Sequence, residues 1–164
     1  MGFGSILGRR RIQRHRQRTL GISGDEALVP QCVQVAPLSH CGRWLFEWQK
    51  TDGKKQPYYI SMKDSRPFGI AGLWERWDKG EEPVESCAIL TTAANELMEP
   101  IHERMPVILS PKQFDLWLDP KCQDAKKLTE LMQPYQAKDL LAYAISTRVN
   151  NPKNDTAACI DPMK

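Results

Sequence analysis

FEWQKTDGKKQPYYI, residues 46–60, reads as two extended segments around a tight turn. Asp52-Gly53, inside TDGKK, suits a two-residue hairpin because both residues tolerate the positive φ that such a turn demands. The segment after it, QPYYISM (56–62), is rich in aromatic and β-branched residues and predicts a strand. Before the turn, Glu47 stands between Phe46 and Trp48, the pattern of a residue on a strand surface.

Working outward toward the C-terminus, RPFGIAGLWERW (66–77) predicts a second strand, DKGEEP a turn, and VESCAILTTAA (84–94) a third strand, apolar at its centre. Short turns between these runs imply antiparallel pairing. NELMEPIHERM (95–105) predicts a short helix broken at Pro100 and then a loop, followed by a strand at PVILS. Ser110, Pro111 and Gln113 form a helix start: a cap, a proline in the first turn, and a capping-box partner three residues on. The helix SPKQFDLWLD (110–119) then carries Phe114, Trp117 and Leu118 on one face, so Trp117 is expected in packing. DAKKLTELMQ (124–133) predicts a second short amphipathic helix, ended by Pro134; LLAYAIS a last strand; and NNPKND a turn. Trp74 and Trp77, three apart in a strand, are expected on opposite faces, with at least one in the core.

Toward the N-terminus the chain changes character near Phe46. LGISGDEALVPQCVQVAPLSHCGR (20–43) has poor periodicity, with one short alternating piece, Cys32 to Val35, that suits a strand. Earlier still, GRRRIQRHRQR (8–18) holds six arginines and a histidine. Residues 1–45 contain seven arginines and two acids, a net +5; residues 46–164 contain sixteen Lys/Arg and eighteen acids, a net −2. Such a basic block is either a nucleic-acid arm or a tail. The 164 residues are enough for one domain with a real core, and 41% hydrophobic with 26% charged residues is a globular composition. No apolar run approaches the roughly 20 residues that span a bilayer, and the N-terminus does not read as a signal peptide. The five cysteines (Cys32, Cys41, Cys87, Cys122, Cys159) are irregularly spaced without a CxxC pair. Neither a zinc site nor another metal site is expected, and reduced thiols in the cytoplasm are the default.

Three stretches go beyond the generic: FEWQKTDGKKQPYYI, AGLWERW with ILTTAANELMEPIHERMPVIL (89–109), and STRVNNPKND (146–155). Together they resemble the SRAP family, the SOS response-associated peptidases or abasic-site processing proteins, over about residues 46–160. The resemblance implies an α+β fold: a curved, mostly antiparallel, barrel-like β-sheet with peripheral helices. It implies single-stranded DNA with abasic sites as the partner, no cofactor, no membrane, and a monomer in the cytoplasm, or on the nucleoid if bacterial. Family members capture the open-chain aldehyde with a cysteine placed directly after the initiator Met. The free α-amine forms an imine and the thiol closes it to a thiazolidine; an α-amine of ordinary pKa about 8 is partly neutral near pH 7. The family's peptidase activity is understood mainly as self-processing that exposes this cysteine. The resemblance carries four positions over. Glu47 in Phe46-Glu47-Trp48 and His102 in His102-Glu103-Arg104-Met105-Pro106 match the family's catalytic glutamate and histidine, suited to the proton transfers of imine chemistry. Arg104 matches an arginine that holds phosphate, and Trp48 is placed to stack on or wedge against a base.

Other family marks are missing. Gly2 stands where the cysteine belongs, the family's N-A-R asparagine motif is absent, and APLSHCGRWL (36–45) replaces the lead-in R-R-C-L-[VI]-x-A-D-G-F. Cys41 is internal and has no free α-amine. Codons compatible with Ala36 to Leu45, read one nucleotide downstream, permit R-R-C-L-I-V-A-D-G-F. The same shift over Met1 to Gly8 permits W-G-L-G-P-S-W-A, and over Ile12 to Arg14 F-N-A, the start of the asparagine motif. Residues 1 to about 45 are therefore expected to be aberrant, poorly ordered, out-of-frame text, with the true start upstream of Met1. On that reading the arginines of 8–18 are by-products of the wrong frame, and the chain, lacking its cysteine, is inactive in crosslinking. Two competitors stand beside this one: a non-enzymatic DNA-binding module that uses the basic arm and the tryptophans, and a cysteine or serine peptidase acting on other proteins.

Overall fold

The computed structural model describes residues 42–77, 81–82, 84–119, 121–122 and 124–163, with backbone alone for 74–77 and 85–87. The basic run, Gly2, Cys32, Cys41 and the strand expected at Cys32 to Val35 lie outside the described residues, as do the side chains of Trp74, Trp77 and Cys87.

The hairpin forms as its turn dictates. Strand β1 (Trp44–Thr51) pairs antiparallel with β2 (Lys54–Met62). Asp52 and Gly53 take φ values of 47° and 76° between them, both positive as the turn requires. β1 begins at Trp44, two residues ahead of the expected boundary, and Gly42 already bridges to Phe68. On its other side β2 pairs with β9 (Leu140–Ala144), giving a three-stranded sheet ordered β1-β2-β9. Its inner face is apolar: Ile60, Met62 and Leu140 are buried, and Leu45, Tyr58 and Ala142 pack around them. Its outer face is aromatic. Trp44 stacks on Tyr59 and Tyr59 on Tyr143, with ring centroids 5.9 and 5.0 Å apart.

The expected second and third strands each divide in two, for a topological reason. Residues 66–77 yield β3 (Gly69–Ile70) and β4 (Gly72–Trp77); residues 84–94 yield β5 (Val84–Ile89) and β6 (Thr91–Ala93). The strand at PVILS divides likewise, into β7 (Arg104–Pro106) and β8 (Ile108–Leu109). The breaks fall at Ala71, Leu90 and Val107, where three extended segments exchange partners. β3 pairs with β8, β4 with β5, and β6 with β7, all antiparallel. The three break residues bond to each other in a ring: Ala71 N–H to Val107 O (2.8 Å), Val107 N–H to Leu90 O (2.9 Å), and Leu90 N–H to Ala71 O (2.9 Å). Ala71 and Val107 are fully buried there, so their backbone groups need those partners.

Helix α1 (Pro111–Leu118) starts as its capping residues predict: the Ser110 N–H donates to Gln113 Oε1 at 2.8 Å. Trp117 is buried on Ala71, Val107 and Leu109, with Phe114 and Leu118 beside it. Helix α2 (Ala125–Glu130) is capped by Asp124, whose carboxylate accepts the Lys127 N–H, and Leu128 adds to the same cluster. The helix expected within 95–105 does not form; residues 96–101 make consecutive turns instead. Asn95 explains this. Its Oδ1 takes the N–H groups of Leu97 and Met98, its Nδ2 donates to Tyr135 O, and with Pro100 the segment cannot extend a helical ladder. The architecture is α+β with every described strand pair antiparallel, in four open sheets. Among the described residues no helix is long and apolar enough to cross a membrane.

Candidate functional site

Side chains on β1 alternate between the two sheet faces, so Phe46 and Trp48 share the aromatic face while Glu47 and Gln49 share the inner one. Trp48 lies opposite Pro57, which has no N–H and spends its carbonyl on the Ile145 N–H of the far neighbour. The Trp48 N–H is taken instead by Glu47 Oε1 at 3.1 Å. Glu47 is thus half-buried at the open side of β1, with one oxygen engaged by the backbone of the next residue.

His102 sits at the end of the turns that connect β6 to β7. The loop is closed by Ala94 N–H to Glu103 O (3.0 Å) and anchored by Met98 and Ile101, which insert into the main core. Gln49 ties β1 to this loop: its Nε2 donates to Pro100 O at 2.7 Å, and its Oε1 accepts the Tyr58 hydroxyl at 3.2 Å. A groove of about 290 Å³ opens at this junction, lined by Trp48, Gln49 and Lys50 of β1 and by residues 99–103 of the loop.

The imidazole of His102 is held by the backbone of Arg104. Arg104 N–H points at His102 Nδ1 from 3.1 Å, the bond available to a ring whose proton is on Nε2. The Arg104 carbonyl lies 3.1 Å from the same Nδ1. The same nitrogen thus faces one backbone donor and one backbone acceptor, and which of them it uses depends on the tautomer of the ring. Arg104 itself reaches sideways: Nε donates to Thr91 Oγ1 at 3.0 Å, and Nη2 donates to the hydroxyl and the carbonyl of Thr91. Its Nη1 has no part in those bonds.

Of the four residues singled out in the sequence, Trp48 and His102 line one groove. Glu47 is adjacent to Trp48 on β1 but is not among the lining residues, and Arg104 follows two residues after His102, turned toward Thr91. Sequence reasoning missed Gln49, although it repeats the face of Glu47 two residues on. It also missed Asn150, whose Oδ1 accepts the Trp48 indole N–H at 2.7 Å across 102 positions. Among the described residues no three His, Cys, Asp or Glu side chains converge as metal ligands.

The sequence matches the family model described as SOS response associated peptidase (SRAP) over residues 43–152. It is 47% identical to the abasic site processing protein YoqW of Bacillus subtilis over 118 residues, 71% of this chain and 53% of that protein. It is 32% identical to the abasic site processing protein HMCES of Gallus gallus, covering 73% of this chain and 41% of that one. A crystal structure of a Bacteroides thetaiotaomicron protein superimposes with a TM-score of 0.66 at 31% identity, over 75% of this chain and 55% of that one. The chain thus spans about half the length of the bacterial relatives it matches.

Proposed function

We propose a function for this chain as a member of the SOS response associated peptidase (SRAP) family, to which it belongs: recognition of abasic sites in single-stranded DNA at the Trp48–His102 groove. The observation that supports the reading is the junction of β1 with the 99–103 loop, where Trp48 and His102 both line one groove within the matched region. Trp48 stacks on a base next to the lesion, since a ring face is indifferent to base identity and suits a site defined by a missing base. Arg104 reaches a phosphate through Nη1, the guanidinium nitrogen that the Thr91 bonds leave over. His102, whose Nδ1 faces both the N–H and the carbonyl of Arg104, moves protons to and from an aldehyde-derived centre. Glu47 assists it from the adjacent strand position.

Covalent capture and self-processing need an amine–thiol nucleophile. A polypeptide of this sequence carries Gly2 after Met1, and the mode proposed for it is binding without crosslinking. The reading at 1–45 as out-of-frame text belongs to the same proposal, and the nucleotide sequence spanning Met1 to Trp48 tests it: an intact coding run with no frame that joins the family pieces refutes it. The functional test pairs two measurements on the purified chain. Fluorescence anisotropy compares single-stranded DNA carrying one abasic site with intact single strand and with duplex; preference for the first is expected, and equal binding to all three sinks the proposal. A denaturing gel of the same mixture is expected to show no adduct, and a heat-stable band refutes the non-covalent mode.

A further inference from the structure

The turn NNPKND holds three asparagines, and the structure divides them by task. Asn151 Oδ1 accepts the Lys153 N–H at 3.0 Å, and Asn154 Nδ2 donates to Arg148 O at 2.9 Å. Both side chains are spent on the turn itself. Around them the Asn151 N–H donates to Arg148 O and the Asn154 N–H to Asn151 O, so the turn is internally braced. The Asn150 side chain instead leaves the turn and meets Trp48 on β1. An indole N–H can only donate, so the amide orientation is determined: oxygen toward Trp48, nitrogen outward. Phe46 meets the same indole from its own strand, edge-on at 66° with ring centroids 6.5 Å apart.

We infer that Asn150 is a positioning residue for nucleic-acid binding: it fixes the Trp48 ring so that the indole is already oriented when a base arrives. The inference rests on the reading of Trp48 as a base-stacking residue and adds the device that orients it. A free tryptophan side chain samples several rotamers, and binding must then freeze it; an indole held beforehand by Asn150 and Phe46 avoids most of that cost. Asn150 is itself exposed, so replacing it opens no core.

The test is a double-mutant cycle on the full chain, with a fluorescent oligothymidine as probe. Asn150→Ala is expected to weaken binding about threefold to tenfold, the effect of losing one well-made hydrogen bond plus its ordering. Trp48→Phe retains a ring but removes the N–H, and also loses affinity. If Asn150 acts through the indole, the double variant is no weaker than Trp48→Phe alone, and the melting temperature of Asn150→Ala stays close to that of the parent. Additive losses, or an Asn150→Ala variant that binds like the parent, overturn the inference while leaving the nucleic-acid reading intact. A parent chain that binds no oligothymidine overturns both.

Discussion

Replacing Gln49 with leucine isolates the tether between β1 and the His102 loop. Two hydrogen bonds disappear, Nε2 to Pro100 O at 2.7 Å and Tyr58 Oη to Oε1 at 3.2 Å. The first is exposed to solvent, so its net worth lies near the lower end of about 0.5–1.5 kcal/mol. The second leaves a half-buried tyrosine hydroxyl short of its acceptor, a loss of about 1 kcal/mol. The total, about 1–2 kcal/mol, corresponds to a fall of about 2–8 °C in melting temperature for a chain of 164 residues. Thermal unfolding followed by circular dichroism reads this directly. Tyr58→Phe removes the hydroxyl alone and is expected to lose less, and the pair Gln49→Leu with Tyr58→Phe to lose no more than Gln49→Leu. A Gln49→Leu chain that melts within about 1 °C of the parent refutes the tether, because the amide would then be held no better than a side chain in water.

Two further outcomes test the packing and the charge balance. A methyl group at Gly69 meets the Phe114 ring at 2.6 and 2.9 Å, so Gly69→Ala is expected to push α1 off β3 and cost about 1–3 kcal/mol in urea unfolding; pairing it with Phe114→Leu should recover part of the loss. Tyr143, hydrogen-bonded to Ile160 O at 3.0 Å, has its hydroxyl pKa raised above 10.0 by burial first, then by Tyr59 and Asp161. The folded chain therefore keeps that proton to higher pH than the unfolded chain does. Its stabilising contribution is whole below the unfolded value and declines as pH rises through the folded one. Urea titrations on either side of pH 10.0 should show a decline that Tyr143→Phe reduces, and an identical decline in both chains refutes the assignment.

What the sequence disclosed was what depends on neighbours along the chain. The Asp52-Gly53 reversal, the Ser110 to Gln113 capping box and the apolar face of α1 all rest on residues within a few positions, and all three formed. The partner exchange at Ala71, Leu90 and Val107 was not legible, because nothing local marks where an extended segment changes its neighbour. The helix expected after Ala94 failed because Asn95 offered the backbone a competing set of bonds, one of them to Tyr135, forty positions away. The candidate site divides the same way. Trp48 and His102 stood out by resemblance to a family. Gln49 was open to inference from its strand face but was passed over, and Asn150 meets Trp48 only through the folded topology.

The two-residue reversal at Asp52-Gly53 has a reach well beyond its own length. With Thr51 facing Lys54 across it, every pair back to Trp44 and Ser61 is fixed by counting. One inserted residue on the β1 side, if the pairing slid to absorb it, would change odd for even along the whole strand. Phe46 and Trp48 would turn toward Ile60 and Met62, while Glu47 would swing into the place of the rings. The parity of a surface turn thus decides which residues of β1 are able to do chemistry and which are left to pack.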